Sequence, residues 1–302
     1  MSIVERSLQK LKSGFRADRL PAAASGDPER GAVKPVEAGA PAVVVQQLLA
    51  ARPVVSVSMR QAVGQGLAWP PAQAPKLAAH MRLLKRQVLD RVQARPDPAR
   101  GFVLVVSSAS SGDGKSFTAF NLALALATER DLAVTLVDGD LIRQKVSGVM
   151  RGETTTGLVQ CIGEGTPLSS VVLRTDIERL SVVPAGSRAG GPVADPSEET
   201  LDRVVADMRS MGGDRVFVVD AAPLLATGDA QGFAQRADLL LFVVRVGVTP
   251  VGAVGAALEQ LGDHGRVAVV LNGGVSADTS AYYDYDYYRM PAGEASHRDG
   301  SN

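Results

Sequence analysis

The stretch Phe102-Val-Leu-Val-Val-Ser-Ser-Ala-Ser-Ser-Gly-Asp-Gly-Lys-Ser-Phe117 decides the fold of this 302-residue chain. Its apolar run, Phe102–Val106, reads as a strand buried on both faces. The segment that follows, Ala109-Ser-Ser-Gly-Asp-Gly-Lys-Ser116, places Gly112 and Gly114 where backbone N–H groups can turn toward an anion. Lys115 can reach phosphate oxygens, and Ser116 offers a hydroxyl suited to Mg2+. A helical pattern over 115–129 sets these groups at a helix N-terminus, the positive end of its dipole. The usual first glycine of such a loop is Ala109 here, a small departure.

Outward from this stretch, apolar runs recur at Phe102–Val106, Ala133–Val137, Leu180–Val183, Val216–Val219, Leu239–Val244 and Val267–Leu271. Helical patterns lie between several of them, at 115–129, about 198–211 and about 250–262. Strands of this kind separated by helices predict an α/β fold: a mostly parallel sheet flanked by helices on both faces. A further helix is expected over about 75–94, where Leu77, Met81, Leu84 and Val88 share one side. Residues 2–13 have the pattern of a short helix, either a frayed terminus or a docking segment. Residues 14–75, rich in Ala, Pro, Gly and Val, read as a mostly disordered linker. The expected organisation is residues 1–75 as extension, 76–275 as the nucleotide domain and 276–302 as a flexible tail.

Composition narrows the class. Lys plus Arg and Asp plus Glu both number 32, so no whole-chain field favours nucleic acid or an anionic membrane. One cysteine, Cys161, excludes an intramolecular disulfide framework and fits a reducing cytoplasm. The opening residues lack the apolar core of a signal peptide, and no apolar run approaches the ~18 residues of a membrane span. The expectation is a soluble protein that meets a membrane only through a partner. No Cys or His partner lies at zinc-ligand spacing from His80 or His264.

Two further features bear on chemistry. Acids end two of the apolar runs: Asp138-Gly-Asp140 follows Ala133–Val137, and Asp220 follows Val216–Val219. Strand ends of this kind form the ligand edge of open α/β sheets. All 5 tyrosines of the chain fall between residues 282 and 288, as Tyr282, Tyr283, Tyr285, Tyr287 and Tyr288, interleaved with Asp284 and Asp286. A phosphate site together with a string of acceptor hydroxyls suggests a kinase that phosphorylates its own tail. His297-Arg298-Asp299 spells a catalytic triplet of eukaryotic-type kinases, but the rest of that signature is missing and it reads as coincidence.

In motif order and spacing the chain resembles the bacterial tyrosine autokinases (BY-kinases) of exopolysaccharide synthesis, especially the branch found with exosortase-linked clusters. The resemblance rests on Ser107–Ser116 with Asn121-Leu-Ala123, on Leu136-Val-Asp-Gly-Asp140 with Arg143, and on Val219-Asp-Ala-Ala-Pro-Leu-Leu-Ala-Thr227. Ala237-Asp238, Leu271-Asn272 and the tyrosine tail complete it. It covers about residues 76–290 and the first dozen. It implies ATP and Mg2+ as cofactors, with Ser111, Gly112, Asp113, Gly114, Lys115, Ser116 and Phe117 around the phosphates and Asn272 at the adenine. It also implies that Ser116 with Asp140 or Asp220 organises Mg2+, that Asp138 orients or deprotonates the incoming phenol, and that Lys115, Asp138, Asp140 and Asp220 form the catalytic set. The phosphoacceptors would be Tyr282–Tyr288. Implied partners are further copies of the chain, a membrane-embedded polysaccharide chain-length regulator as activator, and a cognate tyrosine phosphatase; nucleic acid is not among them.

The chain departs from that pattern at three positions. Ala79 stands where relatives carry a Glu that touches a neighbouring subunit, Asp220-Ala-Ala-Pro223 replaces a Pro-Pro pair, and Ala109 replaces a glycine. Two other readings stay open. A partition-type ATPase shares the expected fold, but it carries an extra loop lysine where this chain has Ser110. A nucleotide-binding regulator without kinase activity would use the tyrosine strip for docking.

Overall fold

Continuous apolar strands have only one way to escape water on both sides, and the sheet of this protein takes it. The structure, a computed structural model, describes residues 54–68, 74–152, 155–187, 196–262 and 265–273. In chain order the elements are β1 (Val54–Val57), α1 (Met59–Gly64), α2 (Ala74–Gln93), β2 (Phe102–Ser108), α3 (Lys115–Leu126), β3 (Ala133–Gly139) and β4 (Met150–Arg151). They continue as α4 (Leu158–Glu164), α5 (Leu168–Val171), β5 (Leu173–Thr175), β6 (Leu180–Val183), α6 (Glu198–Ser210), β7 (Arg215–Ala221), α7 (Gly228–Arg236), β8 (Leu239–Arg245), α8 (Val251–Leu261) and β9 (Val267–Asn272).

The strands form one 9-stranded sheet in the order β4-β1-β5-β6-β3-β7-β2-β8-β9. The run from β6 to β9 is parallel throughout, whereas β4 and β5 make antiparallel pairs with β1 and β6. Strand side chains alternate between faces. Phe102, Leu104 and Val106 therefore pack with α2 and α3 on one side, and Val103 and Val105 pack with α4, α6 and α7 on the other. The buried side of α6, Leu201, Val204, Val205 and Met208, follows helical spacing. Ser197 caps its first turn by accepting from Thr200 N, and Glu198 and Glu199 face the positive end of its dipole.

The sheet is present, as are the helices expected at about 75–94, 115–129, 198–211 and 250–262, with helix α2 one residue earlier at each end than expected. The difference lies at residues 54–68, read from sequence as linker. Val54 and Val55 pair in parallel with Arg174 and Thr175. Asp176 fixes the next residues, accepting from Ser56 Oγ at 2.6 Å and Val57 N at 2.9 Å. Leu67 is fully buried, and its carbonyl accepts from Asn121 Nδ2 of α3 at 2.7 Å. The described part of the fold thus begins at Val54, not near residue 76. A four-residue strand carries little local signal, and its partners lie about a hundred residues downstream.

Among the described residues no helix is long and apolar enough to cross a membrane. The proposed helix over 2–13, most of the 14–75 segment and the tyrosine cluster lie outside the described residues.

Candidate functional site

The order of the sheet places its ligand edge. After β2 the chain crosses to β3, leaving the place of β7 between them, and β8 lies on the other side of β2. Clefts at the C-terminal ends of strands open at such reversals. The loop after β2, Asp138 and Asp140 at the end of β3, and Asp220 of β7 meet there. Strand pairing sets Asp138 directly opposite Asp220.

The loop has the expected conformation. Gly112 and Gly114 have φ of 93° and 100°, which a side chain would strain. A Cβ at Gly114 would also lie 1.9 Å from Asn272 Nδ2. Ala109, in place of the usual glycine, is buried at a normal φ, so its methyl is part of the core. Ser111 is exposed at the crown of the loop and Phe117 half-buried in the first turn of α3.

Lys115 and Asp140 are both buried and form an ion pair at 2.9 Å between Nζ and Oδ2. A charge held out of water needs such a counter-charge. Asp140 Oδ1 also accepts from Arg143 N at 3.1 Å. The residue expected to hold phosphate is thus bonded to one expected to organise Mg2+.

The other two acids differ from Asp140. Asp138 is fully buried; its Oδ2 accepts from Ser147 N at 2.7 Å and Ser147 Oγ at 2.6 Å, while Oδ1 has no partner. Burial, with the Asp220 charge beside it, pushes its carboxyl up to about 7, and the Ser147 bonds act the other way. Asp220 is also fully buried, and neither oxygen makes a well-formed hydrogen bond, though the Ser116 hydroxyl lies beside it. Burial lifts it to about 6 against the opposing charge of Lys115.

The orphaned oxygens of Asp220, with the Ser116 hydroxyl beside them, suit a hard cation. Among the described residues no three Asp, Glu, His or Cys side chains gather into a metal cage. That donor set fits Mg2+, which takes one or two carboxylates and fills its octahedron with phosphate oxygens and water.

The structure therefore brings together Gly112, Gly114, Lys115, Ser116, Asp138, Asp140 and Asp220. Asn272, expected at the adenine, donates from Nδ2 to the loop carbonyl of Asp113 at 2.9 Å. Sequence reasoning missed Ser147, which holds Asp138, and missed Thr249, whose hydroxyl donates to Asp113 Oδ1 at 2.7 Å. The charge of Asp113 inside an anion-binding loop was the available clue to the second.

No family model matches the chain. It is similar to the tyrosine-protein kinase CpsD of Streptococcus agalactiae, 26% identical over 189 residues, which are 62% of this chain and 81% of that protein. CpsD of Streptococcus pneumoniae is 28% identical over 187 residues, 61% of this chain and 81% of that protein. Among solved structures, the BceF tyrosine kinase domain superposes with a TM-score of 0.54 at 23% identity, covering 77% of this chain and 97% of that domain, which shows a shared fold. The chain is a relative of bacterial tyrosine-protein kinases.

Proposed function

We propose that this relative of bacterial tyrosine-protein kinases transfers the γ-phosphoryl group of ATP to tyrosine hydroxyls, chiefly Tyr282, Tyr283, Tyr285, Tyr287 and Tyr288 of its own chain or a neighbouring copy. The observation that supports it best is the meeting of Lys115, Ser116 and three buried acids at one sheet edge, with Asp138 and Asp220 keeping free oxygens there.

Each residue then has a task. The loop N–H groups and Lys115 bind the β- and γ-phosphates, and Lys115 exchanges Asp140 for phosphate as it does so. Ser116 with Asp140 or Asp220 would hold Mg2+, which would supply positive charge to offset that of the transferring phosphoryl group. Asp138, fixed through one oxygen by Ser147, turns the other to the tyrosine hydroxyl. A phenol ionises near pH 10 and is a poor nucleophile at neutral pH. A carboxylate with a folded-state pKa of about 7 is well matched to accept its proton.

Transfer between copies gives the tail a regulatory role. Each phosphotyrosine adds about −1.5 to −2 charges beside Asp284 and Asp286, and the repulsion releases a docked tail. In this reading the protein works in the cytoplasm, at the inner membrane through a chain-length regulator that activates it. A tyrosine phosphatase resets it, and the output is control of exopolysaccharide synthesis and export.

The test is peptide mass spectrometry of dephosphorylated protein after incubation with ATP and Mg2+, alone and with the cytoplasmic part of a co-encoded membrane partner. Phosphate confined to Tyr282–Tyr288 and lost in Lys115→Met is the expected result. ATP binding without phosphotyrosine under either condition would instead make the protein a nucleotide-binding regulator.

A further inference from the structure

Asp113 is an acid within a loop that must hold anions. A free carboxylate there would repel phosphate and compete with it for the loop's N–H groups. The structure confines it: Oδ2 accepts from one N–H, that of Ser110 at the start of the loop, at 3.0 Å, and Oδ1 is drawn out of the loop to the Thr249 hydroxyl at 2.7 Å. Asp113 is 2% exposed. Thr249 lies in the segment that joins β8 to α8, just before Pro250, and its Oγ1 also accepts from Arg245 N at 2.8 Å. The hydroxyl is thereby held in one orientation, receiving from one side and donating to the other.

Two further bonds reach the loop from the same side. Arg245 Nη1 donates to Gly112 O at 3.3 Å, and Asn272 Nδ2 donates to Asp113 O at 2.9 Å. β8 and β9 bring these donors together, since Arg245 pairs with Asn272. In a trans peptide the C=O and the following N–H point in opposite directions. Drawing the Gly112 carbonyl outward therefore aims Asp113 N–H inward, and drawing the Asp113 carbonyl outward aims Gly114 N–H inward. The missing Cβ of Gly114 gives Asn272 room to do this.

We propose that Thr249, Arg245 and Asn272 form a clasp on the outside of the phosphate loop, with Asp113 as its strut, and that Thr249 is the positioning residue that keeps the Asp113 carboxylate from competing with the nucleotide. This rests on the reading of the loop as an ATP site. Without the Thr249 hydroxyl, Oδ1 of Asp113 is free to turn onto further N–H groups of the loop beyond that of Ser110, and the cost falls on phosphate affinity.

The experiment compares the full chain with Thr249→Val, which keeps the shape and loses the hydroxyl, and Thr249→Ser, which keeps the hydroxyl. A fluorescent ATP analogue with Mg2+ is titrated into each, and backbone hydrogen exchange of the 107–117 peptide is measured without nucleotide. Thr249→Val should raise Kd about tenfold, the size of one lost hydrogen bond to a charged group, and speed exchange in that peptide. Its unfolding midpoint should stay within a few degrees of the parent, and Thr249→Ser should bind like the parent. Val and parent affinities within twofold, or equal losses in Val and Ser, overturn the clasp. If the parent chain fails to bind the analogue, the ATP-site reading falls. The exchange measurement then decides alone, and unchanged protection in Thr249→Val overturns the clasp. Should Thr249→Val not fold, Asn272→Ala is read by the same exchange, with the same outcomes.

Discussion

Asp138→Asn should make the protein more stable at alkaline pH while removing its activity. A carboxyl raised from 3.8 to about 7 by folding is a burden on the folded state whenever it is ionised. Below the unfolded value it is protonated in both states and carries no penalty. Above 3.8 the unfolded chain releases the proton first, so stability falls as pH rises, and the full loss is reached above about 7. That loss is ~4 kcal/mol at pH 8 and roughly 1–2 kcal/mol at pH 5.

Asparagine removes the charge, and its carbonyl can still accept from Ser147 N and Oγ. Its NH2 then sits where Oδ1 has no partner, at a cost of about 2 kcal/mol. The net gain is ~2 kcal/mol at pH 8 and close to zero at pH 5. For about 200 folded residues, that corresponds to an unfolding midpoint about 4–8 °C higher at pH 8. The assay is thermal unfolding of parent and variant between pH 5 and 8 in EDTA without nucleotide. A variant less stable at pH 8, or a difference independent of pH, would refute the argument that burial of Asp138 loads strain onto this site. Loss of phosphotyrosine formation by about 100-fold or more in the same variant is the catalytic counterpart.

Other expectations follow from single positions. Gly114→Ala puts a methyl into Asn272 at a φ of 100°, so ATP binding should disappear at a stability cost of about 1–3 kcal/mol, measured by nucleotide titration and denaturant unfolding. Leu67→Ala empties a fully buried position in the 54–68 segment and should cost about 2–5 kcal/mol in urea unfolding; a loss below about 1 kcal/mol would mean this segment adds little to the core. Lys115→Met leaves Asp140 buried without its partner as it removes the phosphate-binding charge, so Mg-ATP affinity should fall at least about tenfold in calorimetry. Replacing all of Tyr282, Tyr283, Tyr285, Tyr287 and Tyr288 by Phe should leave that affinity unchanged, remove phosphate from the tail and fix the oligomeric state against ATP in light scattering.

Much of the architecture was legible because its signals are local. Strands buried on both faces must be apolar throughout, so β2, β3, β7 and β8 stand out as unbroken runs, and the edge strand β9 shares the pattern although its Val269 and Leu271 are exposed. A phosphate loop needs glycine, lysine and hydroxyl at fixed spacing, so Gly112, Gly114, Lys115 and Ser116 identify themselves. Acids that end β3 and β7, neighbours on one side of β2, come near that loop once the sheet is parallel. Short edge elements lack such signals: β1 and β4 are strands only because they lie against each other and β5.

What the sequence determined by itself was therefore the kind of sheet, the position of the loop and the set of charged groups at its edge. Each follows from chemistry carried by a few consecutive residues. Tertiary structure alone decided how those charges are shared: Asp140 pairs with Lys115, Asp138 is held by Ser147, and Asp220 is left without a partner. It also decided that Asp113 is joined to Thr249, 136 positions away. The sequence cannot rank three acids at one sheet edge, because their differences are differences of burial and neighbours. Those come into being only when distant strands and loops pack together.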